Sequence, residues 1–267
     1  MPDQERSILE ETALDLYCVL NLKQKIVGVK FLFDAQEFAK AKARPLKRKM
    51  AYCVMVRSAL TGKSLKATTE NFGCMGGARA LGAIDLDETS LSGRFYNRLG
   101  LYQDLSTSKN VQQTMTFCQH KLYGVMVKPL EEYNDEPDVV LTVTTPYNAM
   151  RVIQAYTHVS GYKTSFKIAG NQAICSECTA YPFESNDINV SLLCSGTRYK
   201  AGWGDDEMAV GFPFNLLFSI VKGLYATLDM VEPDEKKAEI ESRCSESGRK
   251  APAIHYGKNY YTGLNPP

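Results

Sequence analysis

Two hydrophobic periods alternate along the chain, one helical and one of two residues, and the alternation outlines its elements. Ile8, Leu9, Ala13, Leu16, Tyr17 and Leu20 recur at helical spacing and predict a helix over residues 8–22. Residues 26–33, IVGVKFLF, are rich in β-branched and aromatic side chains and predict a strand. Helices are expected over 51–60, stopped by Gly62, and over 89–99, stopped by Gly100. Between them the glycine-rich stretch 72–82 reads as a sharp turn. Residues 122–128 and 139–144 read as strands, and Pro146 suits the first turn of a helix running to about Tyr156. A further strand is expected at 164–169. The apolar run 206–228, interrupted by Gly211 and Pro213, predicts a long buried helix. Beyond Pro233 a charged helical stretch leads to a Gly-, Tyr- and Pro-rich tail, expected to lie on the body or on a partner.

The same residues recur in the same order in two parts of the chain. The first part carries Cys53, Ala59, Cys74-Met-Gly76, Arg79, Gly82 and Asp87-Glu88. The second carries Cys175, Cys178, Ala180, Cys194-Ser-Gly196, Arg198, Gly202 and Asp206-Glu207. The match continues with Gly93 and Asn97 against Gly211 and Asn215, and with Gly100-Leu-Tyr102 against Gly223-Leu-Tyr225. An ordered series of this length predicts an internal duplication. The expected organisation is a single domain over 1–232 made of halves at about 7–105 and 122–230, then a C-terminal helix and extended tail over 233–267. The expected fold is α/β or α+β, two pseudo-symmetric halves with a mixed sheet and covering helices. A pseudo-twofold axis would bring the two Cys-x-Gly turns towards one another.

Composition narrows the function classes. The formal net charge is +1, and the one short basic stretch, Lys47-Arg48-Lys49, reads as a solvated loop. Nothing resembles the basic face that binds a phosphate backbone, so nucleic acid is excluded as a partner. No apolar run is long enough to span a bilayer, and the polar start carries no leader pattern. A cytoplasmic protein without a membrane partner is expected. Eight cysteines in a chain of 267 residues with no export signal point to reduced thiols, metal binding or catalysis rather than a disulfide framework. Only three histidines are present, so a metal site here would be sulfur-rich, which favours zinc or an iron–sulfur cluster.

Cys53, Cys74, Cys178 and Cys194, with Cys175 in reserve, supply four thiolates, the number a [4Fe-4S] cluster takes. Glycine after a ligand cysteine frees the turn and lets amide N–H groups face sulfur. The leading expectation is an iron–sulfur protein, an oxygen-sensitive redox enzyme or a cluster-dependent lyase. Such a protein would work on a small-molecule substrate or with an electron-transfer partner, as a homo-oligomer if the tail exchanges. The alternatives are a non-catalytic binding or regulatory module with structural zinc or reduced thiols, and a thiol redox enzyme using Cys175 and Cys178. Arg79 and Arg198 are candidate anchors for a substrate anion or for cluster charge, or else partners of the matched Asp-Glu pairs. Glu177 is a weak acid–base candidate, and Trp203 and Tyr199 either line a pocket or pack. Cys18, Cys118 and Cys244 read as core or incidental positions.

The VGVKF strand, Cys53, the Cys74-Met-Gly-Gly turn and above all VSLLCSGTRYKAGWGDDEMAVGFP resemble the prokaryotic domain-of-unknown-function family numbered 169, frequent in archaea and anaerobic bacteria. The resemblance covers roughly residues 26–228. It implies domain boundaries and the cysteine set rather than a reaction, and occurrence among anaerobes suits an oxygen-sensitive cluster.

Overall fold

A computed structural model describes residues 6–163 and 165–259. Its centre is one seven-stranded sheet. The strands are β1 (Val27–Leu32), β2 (Arg44–Pro45), β3 (Leu65–Thr68), β4 (Gly124–Pro129), β5 (Val139–Thr144), β6 (Asn189–Ser191) and β7 (Met208–Pro213), in the order β2-β3-β4-β1-β5-β7-β6. Only β2 and β3 run parallel; every other neighbour is antiparallel. The central pair is β1 with β5, in register Val27↔Leu141. Outward from it, β4 and β3 lie on one side and β7 and β6 on the other. β4 ends on Pro129 and β7 on Pro213, where the missing N–H stops the ladder, and each continues into a 3₁₀ turn. Strands β4 and β5 are buried along their whole length, as continuous apolar runs require when both faces are covered.

The helices are α1 (Ile8–Leu20), α2 (Ala35–Lys40), α3 (Tyr52–Leu60), α4 (Met75–Ala80), α5 (Glu88–Leu91), α6 (Arg94–Arg98), α7 (Leu105–Thr114), α8 (Pro146–Ser160), α9 (Tyr181–Ser185), α10 (Ser195–Ala201), α11 (Leu217–Ala226), α12 (Leu228–Val231) and α13 (Asp234–Glu246). Side chains alternate across the sheet and divide the core in two. Val27, Val29, Phe31, Val125, Val127, Val139 and Leu141 face α3, α4 and a π-helix at Ala173–Ala180. Ile26, Val140, Val210 and Phe212 face α1, α8, α11 and α13. The cysteine-bearing elements of the repeat motif therefore share one face of the sheet. Among the described residues no helix is long and apolar enough to cross a membrane.

Four local expectations are corrected. Thr164 lies outside the described residues, and 165–169 form no strand. Side chains bind that backbone instead: Glu177 accepts from the N–H groups of Ala169 and Gly170, and Asn189 from that of Lys167. The run 206–228 is not one helix but β7, a 3₁₀ turn and α11. Its apolar continuity reflects a strand buried on both faces, which periodicity alone does not separate from a buried helix. The stretch 72–82 contains α4, and 89–99 is split into α5 and α6 by Gly93, whose φ of 74° is left-handed. At the far end, residues 251–259 lie on the body. The buried Lys237 ammonium donates to the carbonyls of His255 and Lys258, and Gly257 N–H donates to Asp234.

Candidate functional site

Four cysteines reach one cavity from four elements. Cys53 lies in the first turn of α3, Cys74 caps the start of α4, Cys175 sits in the π-helix and Cys194 caps the start of α10. Met50 donates to Asn71 O and Gly73 donates to Met50 O, each at 2.8 Å, which clamps the entry to α4 beside the entry to α3. A side chain at position 73 would put its Cβ 3.0 Å from the Met50 carbonyl carbon, so glycine permits this approach. Cys175 comes in over Gly77, where an added Cβ would stand 3.9 Å from its own Cβ. The π-helix is tied to α3 through Tyr52 Oη and Thr179 Oγ1 at 3.1 Å. Cys194 Sγ is 2.8 Å from Thr197 Oγ1. Cys53, Cys74, Cys175 and Cys194 line a cavity of about 670 Å³.

The thiols are electrostatically coupled. Burial, and then the neighbouring Cys194 and Cys74, push Cys53 up from the ordinary 9.0 to about 11, while Lys200 pulls it the other way. Cys175 is pushed well above its ordinary value, again by burial first and then by Cys194, Cys74 and Cys53. Without a ligand these two are neutral thiols at pH 7. Arg79 and Lys200 line the cavity, and no Asp or Glu does. Among the described residues, no group of three or more His, Cys, Asp or Glu side chains is placed to hold a metal ion.

Cys178 does not join this group. It is fully buried on the sheet side, where the Gly211 backbone of β7 passes close to its own. In an α-helix, residues three apart share a face. A π-helix closes its hydrogen bonds over five residues and turns less per residue, so Cys175 and Cys178 diverge. Cys118 N–H binds Ala80 O, and Cys18 and Cys244 pack between α1 and α13. Arg79 pairs with Asp87 at 2.9 Å, leaving its buried Nε without a partner. Arg198 donates to the carbonyls of Leu192, Gly204 and Glu207, and lies outside the cavity lining. Glu177 is buried, which raises its pKa, and it also accepts from Ser191 Oγ. Trp203 packs in the core, and Tyr199 is exposed. Lys200, Tyr96 and Gln172 also line the cavity. Sequence reasoning missed all three, and no pattern distinguishes them from ordinary polar positions.

The family profile for DUF169, described as "Uncharacterised ArCR", matches residues 15–223. The uncharacterized protein MJ0308 of Methanocaldococcus jannaschii is 28% identical over 218 residues, covering 81% of this chain and 93% of that protein. No solved structure matches the chain. With a profile that spans well over half its length, this chain belongs to the DUF169 family.

Proposed function

We propose that this protein binds a [4Fe-4S] cluster through Cys53, Cys74, Cys175 and Cys194 and acts as a cluster-dependent redox enzyme on a small molecule. The observation that carries the reading is the convergence of these four thiols on one cavity. The donor set fits, since a cubane takes four cysteine thiolates. With Lys200 and Arg79 in the lining and no Asp or Glu, the electrostatics favour an anionic occupant such as a four-thiolate cluster. Thiols held neutral by burial and by one another lose their protons to bound metal, which inverts the local pKa logic. The same shifts disfavour a thiol nucleophile, because thiolate is scarce. A mononuclear zinc site needs thiolates bunched around one ion, whereas a cubane places its own iron and sulfide between them, consistent with sulfurs spread round a cavity wall. Bound there, a cluster supplies one-electron transfer. The protein's part is to exclude water with Tyr52 and Ile174 and to balance anionic charge with Lys200 and Arg79.

Anaerobic reconstitution followed by iron and sulfide analysis, visible absorption and EPR tests this. About four irons per chain are expected. Serine at 53, 74, 175 or 194 should remove or degrade the cluster, whereas Cys178→Ser should retain full iron. A colourless, iron-free protein sinks the proposal, and stoichiometric zinc in its place would make the protein a structural-metal binding module.

A further inference from the structure

We infer that the cavity takes a small amphiphilic acid, whose carboxylate meets the Lys200 ammonium and whose apolar body lies on a rim formed by Met75, Phe95, Leu99 and Leu101. Lys200 follows Gly196 and Thr197 on α10 at spacings of four and three, which share a helix face, and all three line the cavity. Thr197 Oγ1 is 2.8 Å from Cys194 Sγ, so this face of α10 stands beside the thiols, and the Lys200 charge acts on Cys53. Arg79, the other cation of the lining, is engaged by Asp87 at 2.9 Å. The Lys200 ammonium has no carboxylate or hydrogen-bond partner among the described residues. It is exposed and faces a lining without Asp or Glu, so its charge is available to whatever enters.

The rim supplies the second half of the recognition. Met75, Phe95, Leu99 and Leu101 line the cavity, yet each is more than half exposed. Scattered apolar side chains on a surface need no explanation, but four gathered on one concave lining mark a ligand site. Phe95 and Leu99 stand four apart on α6 and so fall on one face. That helix is held against α4, where an added Cβ at Gly76 would stand 3.4 Å from Tyr96 Oη, and Tyr96 meets Phe95 edge-on with ring centroids 5.0 Å apart. Met75 directly follows Cys74, and Lys200 lies on the helix that Cys194 caps. Apolar rim and cation therefore flank the thiols from different helices. In iron-free protein Cys53 and Cys175 are neutral, so neither repels a carboxylate. An inorganic anion would leave the rim in water, and an uncharged hydrocarbon would leave Lys200 unpaired; one molecule with an apolar body and an acidic head satisfies both. The inference goes beyond the cluster reading, sharing its cavity but requiring no iron.

Phenylpropionate, phenylpropanol and phenylpropylammonium test it, since they share one body and differ in the head, while propionate keeps the head and lacks the ring. Each is titrated by saturation-transfer NMR into the purified full chain at low salt, with iron measured on the same sample. The acid should bind about three- to tenfold more tightly than the alcohol, the worth of a charge-assisted hydrogen bond at a solvent-screened site. The ammonium should bind weakest of the three, and propionate about tenfold or more below phenylpropionate because the rim stays uncovered. Lys200→Met should bring the acid down to the alcohol, whereas Leu99→Ser should weaken both and keep their ratio. Both positions are exposed, and the comparison of ligands in the unmodified protein stands without either variant. An acid that binds no tighter than the alcohol, a preference that survives Lys200→Met, or no detectable phenylpropionate binding would each overturn the inference. Protein that stays iron-free after anaerobic reconstitution yet prefers the acid would refute the cluster and keep this subsite; iron-loaded protein without the preference would do the reverse.

Discussion

Cys53 is a largely buried thiol with two others, Cys194 and Cys74, near enough to act on its charge, and burial first and then those neighbours decide its chemistry when no metal is bound. Burial and the adjacent Cys194 and Cys74 hold its pKa near 11 against an ordinary 9.0. Two pKa units lower the thiolate fraction about a hundredfold at neutral pH, and alkylation follows the thiolate. In iron-free protein, iodoacetamide labelling of Cys53, mapped by mass spectrometry, should therefore run about a hundredfold slower than a free cysteine. It should accelerate roughly tenfold per pH unit towards pH 11. The same shift has a linkage sign. The native thiol keeps its proton after the unfolded chain has lost it, so its contribution to stability is present below about pH 9 and lost as pH climbs to about 11. Labelling at the free-thiol rate at pH 7 would refute this electrostatic picture. At this scale the sequence was informative about Cys53, Cys74 and Cys194, whose Cys-x-Gly and repeat positions were visible. It placed Cys178 ahead of Cys175, whereas the pitch of one π-helix sets Cys175 in the cavity lining and Cys178 in the core.

The π-helix and β7 meet backbone to backbone at Gly211. Gly211 sits where an added Cβ would overlap the Cys178 carbonyl oxygen and stand 2.8 Å from its Cα. The obstacle is backbone on both sides, and neither a strand paired with β5 and β6 nor a helix tied to α3 can give way freely. Gly211→Ala should cost about 1–3 kcal/mol, as overpacking does, read as a lower denaturant midpoint at unchanged m. Because the π-helix carries Cys175, the cluster proposed above should also be lost more readily from the variant. Unaltered stability would mean that the helix and strand are less closely packed than this. The junction also explains two misread segments. Residues 208–213 are apolar throughout because both faces of β7 are buried, and a uniform apolar run gives no period to read. Residues 165–169 have strand-like composition but spend their N–H groups on Glu177 and Asn189, a side-chain partnership no local pattern announces.

Across the whole molecule, the DUF169 profile ends at residue 223, yet the chain beyond it completes the second core. Glu232, just past α12, is 2% exposed and accepts from Arg151 Nε at 2.7 Å and from Tyr147 Oη at 2.5 Å. Arg151 in turn is 1% exposed and donates to Leu224 O and Thr227 Oγ1, so one guanidinium joins α8 to α11 and to the segment that leads into α13. Removing one partner of a buried ion pair leaves the other charge uncompensated, at a cost of about 3–5 kcal/mol. Glu232→Ala should incur that loss. Glu232→Gln, which keeps one oxygen to accept from Arg151 Nε and turns its NH2 to the Tyr147 hydroxyl but loses the charge, should lose less. Chemical denaturation with far-UV circular dichroism measures both. Equal losses would place the effect in the charge rather than in the hydrogen bonds, and no loss in either would detach the C-terminal segment from the stability of the sheet. Neither variant touches the cysteine face, because α8 and α11 pack on the opposite side of the sheet. Iron content per folded chain should therefore stay at the unmodified level while stability falls, which separates the core that holds the molecule together from the face that holds its site.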